Sequence, residues 1–242
     1  MTMTEPSATR AMRLVPRRLL AWGGRPALRQ CVGSVLFADI AGFTAMTEAA
    51  RRRGGSRGIE QLTLRLNGIF TELVAAVQQA GGDILKFGGD ALLAAFDATD
   101  LSDSTISRAV WCADRLSRVI RHDRRCHGGR LDLHLGIACG DWSEVITGEA
   151  GARREHFVHG ACIRQAMDAA SAAERRTCRL AASACRVPPD VPVHAVRMRQ
   201  GNWQLNFPKK PWSPNFETLS SVLAPPETMV DFVPRQLRSQ LA

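Results

Sequence analysis

"VLFADIAGFTAMTE", residues 35–48, starts as an apolar run and then sets one carboxylate, Asp39, directly ahead of a small-residue turn and a helix. "DILKFGGDALLAAF", residues 83–96, repeats the device. Here two short apolar strands are joined through Gly88, Gly89 and Asp90, the glycines allowing the positive φ of a tight hairpin turn. If the first strand and the hairpin lie side by side, both acids reach one edge of the sheet, and the arrangement of the whole chain follows from that pairing.

Outward from these two stretches the elements alternate. "VGSVLFAD" reads as a buried strand bounded by turn residues, and "TAMTEAARR" as a helix beginning at Ala41–Thr44. Leu62, Leu66, Ile69, Phe70, Leu73 and Val77 recur at helical spacing until "AGGD" stops the run. Beyond the hairpin, Ile106, Val110, Ala113 and Ile120 outline a third helix. "LDLHLGIACG" alternates strictly, with Leu131, Leu133, Leu135, Ile137 and Cys139 on one side, as a half-buried strand does. "EHFVHG" gives another strand, followed by an alanine-rich helix from about Ala161 to Glu174. This order predicts an α+β fold of ferredoxin-like, palm-type architecture: an antiparallel sheet with helices packed on one face.

Three segments are expected. Residues 1–30 form a basic extension with a short helix at Pro16–Trp22, residues 31–187 the folded domain, and residues 188–242 an arm or linker, since nine of the twelve prolines fall after residue 187. Within that arm "VHAVRMRQGNWQLNF" could form a small hairpin. "LVPRRLLAW" at 14–22 is echoed by "FVPRQLRSQL" at 232–241, as if a second domain were introduced at the C-terminal end.

Composition bounds the function. At 242 residues and 45% hydrophobic the chain can bury a real core, and no apolar run reaches the roughly 20 residues that span a bilayer. A cytoplasmic protein without a membrane span is expected. The seven cysteines lack paired CxxC spacing, which predicts reduced thiols and no zinc site. A net charge of +9 raises nucleic acid as a partner, but the basic residues are spread widely, and none is expected. Of 32 basic residues only Lys86, Lys209 and Lys210 are lysines. A single lysine inside a strand of the domain suggests that a compact ammonium is wanted at Lys86.

Alone, Asp39 reads as a helix cap and Asp90 as a turn residue. Brought together, two carboxylates repel unless cations lie between them. Hard oxygen ligands without histidine or cysteine select two magnesium (Mg2+) or manganese ions, which leave positions open for phosphate oxygens. The backbone amides of "IAGFT" at a helix N-terminus favour phosphate. These residues describe a metal–triphosphate site.

"FADIAGFTAMTE" and "GGDILKFGGDALLAAF" resemble class III adenylyl and guanylyl cyclases, nearest to the first, metal-binding domain of the bicarbonate-sensitive soluble type and its bacterial relatives. The resemblance covers about residues 32–185. It implies that Asp39 and Asp90 hold two magnesium ions with help from the Ile40 carbonyl. It also implies that Ala41, Gly42, Phe43 and Thr44 face the triphosphate, that Lys86 reads the base, and that ATP, more than GTP, is converted to the cyclic nucleotide and pyrophosphate. "GGDAL" is also similar to the signature of diguanylate cyclases, but "DIAGFT" belongs to the cyclase family proper.

Downstream the likeness breaks. Family members competent in both halves carry "GDxVNxAxR", whose asparagine orients the ribose and whose arginine stabilises the transferring phosphate. Aligned on Gly160, "VHGACIRQAMDAA" puts Arg164 at the asparagine and Asp168 at the arginine, and Phe157 replaces the residue that partners the lysine in choosing adenine. Met167 stands where the soluble mammalian form has its bicarbonate arginine. The resemblance therefore implies the metal-binding half of a two-domain cyclase, needing a second cyclase domain in cis or trans. The alternative is a catalytically inactive pseudo-cyclase that regulates or forms a homodimer.

Overall fold

The computed structural model describes residues 18–21, 27–98, 105–127, 131–148, 154–175, 177–182, 191–198 and 201–212. Its elements are α1 (Arg18–Ala21), β1 (Ala27–Ala41), α2 (Phe43–Gln79), β2 (Asp83–Gly88), β3 (Ala91–Asp97), α3 (Thr105–His127), β4 (Asp132–Thr147), β5 (Glu155–His159), α4 (Ala161–Ser171), β6 (Cys178–Leu180), β7 (His194–Arg197) and β8 (Trp203–Asn206). Two compact units emerge, one comprising residues 1–31, 141–160 and 219–242 and the other residues 32–140 and 161–218.

The larger unit is an α+β layer structure. Its strands run in the order β2-β3-β1-β4-β6-β8-β7. Alternation along β1 and β4 decides which side chains form the core: Leu36, Ala38 and Ile40 join Leu133, Leu135 and Ile137 against the apolar stripe of α2 (Leu62, Leu66, Ile69, Leu73, Val77) and of α3 (Val110, Ala113, Leu116, Ile120). Burying each such leucine contributes about 1.5–3 kcal/mol relative to exposure. The two helices expected after β1 are one assigned element, broken at Gly55, whose φ of 52° and ψ of −133° are not helical.

The sheet carries more than the sequence suggested. Gly136 turns the opposite way from Leu135 and Ile137, and a Cβ there would stand 2.0 Å from the Ala166 carbonyl oxygen and 2.4 Å from the Ala170 nitrogen. So α2 and α3 cover one face as expected, and α4 lies against the other, seated on a position where only glycine fits. One pair, β4 with β6, is parallel, because the chain returns to the sheet through α4. The hairpin β7–β8 adds to β6 through Cys178↔Leu205, and Val191 and Leu205 belong to the core. Ordered sheet therefore extends past residue 187, because apolar residues interleaved with the prolines complete the core. The echo at 232–241 lies outside the described residues.

The smaller unit is built around one buried acid. Glu144, wholly inaccessible, accepts hydrogen bonds from Trp142 Nε1 (2.8 Å) and His156 Nε2 (3.0 Å), pairs with Arg18 Nη1, and is 3.5 Å from Cys31 Sγ. Burial alone would raise its pKa. The His156 hydrogen bond, the Arg18 charge and the Trp142 hydrogen bond outweigh burial and hold it at about 2. Of the helix expected at Pro16–Trp22, the described residues Arg18–Ala21 form α1, tied down through Arg18. In the same unit β5 pairs with β4 over Ser143–Thr147.

Cys31, Cys112, Cys126, Cys162 and Cys178 are free thiols, as expected. Cys139 corrects that expectation, being disulfide-bonded; sequence spacing cannot show which sulfurs meet in space.

Candidate functional site

β1 and β3 are antiparallel, with Asp39 opposite Ala91. The Ile40 amide donates to the Asp90 carbonyl oxygen at 3.2 Å, which fixes the hairpin tip beside the end of β1. The tip itself is Gly89–Asp90, with Gly89 at φ 67°. Asp39 and Asp90 are therefore brought together by main-chain pairing, whatever occupies the space between them.

The electrostatics match this placement. The Asp39 carboxyl is raised above its ordinary pKa by burial first and by the Asp90 charge second, and His134 draws it partly back. Two acids that repel in this way fit divalent cations. Their donor set is carboxylate and carbonyl oxygen only, and among the described residues no three His, Cys, Asp or Glu side chains gather as a closed metal cage. An open site of two carboxylates suits magnesium or manganese, which keep positions for other oxygens, and does not suit zinc.

Past Asp39 the chain turns through Gly42, at φ 96° and ψ 0°, into α2. That conformation favours glycine, and it leaves the first turn of α2 without a side-chain cap. The first bond back into the helix is Met46 N–H to the Gly42 carbonyl, 3.2 Å. Ala41, Gly42, Phe43 and Thr44 thus place backbone N–H groups next to the acid pair, where a helix N-terminus attracts anions.

Lys86 sits on the edge strand β2, at a register shift between Ile84 and Lys86, and is exposed. A bulge of this kind re-aims a side chain. Lys86 pairs with Leu93, which pairs with Phe37, two residues before Asp39. Lateral strand spacing puts the Lys86 backbone roughly 10 Å across the sheet from that row of β1.

The remaining positions fall elsewhere. Arg164, Met167 and Asp168 are exposed along one side of α4, at helical spacing. Phe157, in β5 of the smaller unit, is about half exposed and pairs with Val145. His134 was not singled out by sequence. Its Nδ1 lies 3.1 Å from the Ala173 carbonyl oxygen and can only donate to it, and its charge is felt at Asp39. The signal was available, because His134 alternates out of phase with Leu133 and Leu135 and so shares the face of β4 that Asp39 occupies in β1.

Residues 28–193 match the family model of the adenylate and guanylate cyclase catalytic domain. Adenylate cyclase type 10 of Oryctolagus cuniculus is 34% identical over 146 residues, covering 60% of this chain and 9% of that protein. The human form is also 34% identical over the same length. The chain spans about a tenth of the length of these relatives. An uncharacterised protein of Mycobacterium tuberculosis is 31% identical over 156 residues, 62% of this chain and 24% of that one. Among solved structures, the adenylyl cyclase CyaB from P. aeruginosa superposes with a TM-score of 0.60 at 18% identity, covering 77% of this chain and 100% of its own. The guanylyl cyclase Cya2 gives 0.55 at 21% identity, over 74% and 93%. At such identities these two establish the fold alone.

Proposed function

Because the chain belongs to the adenylate and guanylate cyclase catalytic-domain family, we propose that it is the metal-binding half of a cytoplasmic cyclase that converts ATP to cyclic AMP and pyrophosphate. The observation that supports the reading is the juxtaposition of Asp39 and Asp90, with the Ile40 N–H donating to the Asp90 carbonyl oxygen. Asp39, Asp90 and the Ile40 carbonyl would hold two magnesium or manganese ions, which supply Lewis-acid neutralisation of the triphosphate and ease loss of the proton from the attacking hydroxyl. The amides of Ala41–Thr44 hold phosphate oxygens by hydrogen bonds and by the helix dipole. Lys86, a compact cation on the adjoining edge strand, contacts the base. In the reaction the ribose 3′-oxygen bonds to the α-phosphorus as the bond from that phosphorus to the bridging oxygen breaks, pyrophosphate leaves, and the hydroxyl proton passes to solvent.

Arg164 and Asp168 cannot fill the ribose-orienting and phosphate-stabilising roles, since a carboxylate beside a transferring phosphate repels it. A second cyclase domain bearing asparagine and arginine at those positions completes the site. Mixing this chain with such a domain should give Mg2+- or Mn2+-dependent cyclic AMP that neither produces alone, and that Asp39→Asn abolishes. Association of the two without product would overturn the reading. The same exposed pair on α4 favours a second reading, a regulatory pseudo-cyclase. That reading predicts nucleotide binding without turnover in every pairing.

A further inference from the structure

Away from the acid pair, the larger unit contains a concavity built from residues with no part in the cyclase reading. A cleft of about 550 Å³ opens between the last turns of α3 and the start of β4. Ser117, Ile120, Arg121, Arg124 and Arg125 line it from α3, and Asp132 and Leu133 from β4. We propose that this cleft binds a phosphomonoester carried on a small organic body.

Charge comes first. Three guanidinium groups against one carboxylate leave two positive charges among the lining residues. The C-terminal end of a helix offsets about half a charge, so the surplus is roughly 1.5. A phosphomonoester carries about −1.5 to −2 at neutral pH, whereas a monocarboxylate would leave part of the surplus unmet. Arg124 holds Asp132 only loosely, at 3.5 Å, and Arg121 and Arg125 are four residues apart on the same helix. Planar guanidinium forks match phosphate oxygens two at a time.

The floor supplies the rest. Ile120 and Leu133 are buried apolar side chains at the cleft, available to an organic body. Ser117 is only 9% exposed, and its Oγ is buried without a hydrogen-bond partner among the described residues. An unpaired buried hydroxyl is unfavourable, a deficit that a ligand oxygen at this spot removes. The volume lies within the range of about 300–1,000 Å³ common to small-molecule sites.

The test is calorimetric titration of the whole chain with phenyl phosphate in EDTA, so that no divalent ion is present at the aspartates. Saturable binding is expected, with benzoate and inorganic phosphate each weaker by about tenfold or more. Arg121→Gln combined with Arg125→Gln should weaken phenyl phosphate by about tenfold or more, and Ser117→Ala by several-fold. Arg51→Gln combined with Arg52→Gln, on exposed α2, should change nothing. Absence of binding, equal affinity for benzoate or inorganic phosphate, or equal losses in the two arginine pairs would overturn the proposal. Circular-dichroism melts of each variant separate a lost site from a lost fold.

Discussion

Replacing Glu144 by Gln tests the claim that one buried carboxylate organises the smaller unit. Its pKa falls from 4.5 to about 2 on folding. A shift of roughly 2.5 units at 1.36 kcal/mol each corresponds to about 3 kcal/mol of stability at pH 7. Since the folded value is the lower one, this contribution is complete above pH 4.5 and fades as pH falls toward 2. By pH 3 about 1.4 kcal/mol should remain. The amide keeps the shape and an acceptor for Trp142 Nε1, but it removes the Glu144 charge that faces the Arg18 guanidinium, whose side chain is 8% exposed. Breaking such a buried pair costs about 3–5 kcal/mol. Hydrogen exchange of the β5 amides reads this unit locally, and should show opening easier by about 3 kcal/mol in Glu144→Gln at pH 7, with the gap from wild type narrowing by more than half at pH 3. Arg18→Met combined with Glu144→Leu should recover much of the loss. A variant as protected as wild type at pH 7, or a gap that does not change between pH 7 and pH 3, would refute the reasoning.

Other outcomes follow from particular contacts. Asp39→Asn removes a carboxyl whose pKa is raised, first by burial and then by Asp90; such a group lowers folded-state stability as pH rises through its folded pKa. Without divalent ions the variant should therefore unfold at equal or higher denaturant than wild type at pH 7, while losing any stabilisation by Mg2+ or Mn2+, both seen by urea titration with and without the ion. Gly136→Ala drives a methyl group into the α4 backbone and should cost about 1–3 kcal/mol or more in the same assay. Cys112 and Cys178 are fully buried, and burial pushes their thiols up. Of the free cysteines among the described residues, iodoacetamide should label exposed Cys126 first in the native protein, as mass spectrometry of the digest would show.

The parts of the fold that were legible in sequence are those where one residue's environment repeats at a fixed period. The α2 stripe from Leu62 to Val77 and the alternation in Leu131–Cys139 each state a buried face directly, and both are core in the structure. The acid pair was legible for a different reason: Asp39 ends a strand and Asp90 sits in a two-residue turn, so a single strand pairing suffices to bring them together. What escaped depends on partners far apart in sequence. Glu144 looks like one polar residue in a strand, and its meaning comes from Arg18, 126 residues away, and from His156. The β7–β8 hairpin was legible as a hairpin but not as part of the main sheet, because its pairing with β6 joins residues far apart in sequence, which composition cannot show. Gly136 and Ser117 are likewise readable only once a neighbouring element is in place.

On the proposed reading the cyclase site of this chain is incomplete, and that incompleteness is itself informative. A chain that had lost its chemistry by drift would shed the expensive features first, and a raised, mutually repelling acid pair is expensive, since it lowers stability unless cations offset it. Asp39, Asp90, the uncapped helix turn at Gly42 and the bulged Lys86 all lie on or directly beside the contiguous strands β1, β3 and β2. The departures from the family pattern on which the proposed reading rests lie on α4 and β5, at Arg164, Asp168 and Phe157. Separation by element is what division of labour between two domains predicts, because each half then keeps one set of groups and is free to vary the other. It also allows a test without a turnover assay: Arg164→Asn combined with Asp168→Arg should leave Mg2+-dependent stabilisation unchanged if the acid pair works as an independent half-site, and any loss of it would show that the exposed face of α4 is coupled to the metal pair within this chain.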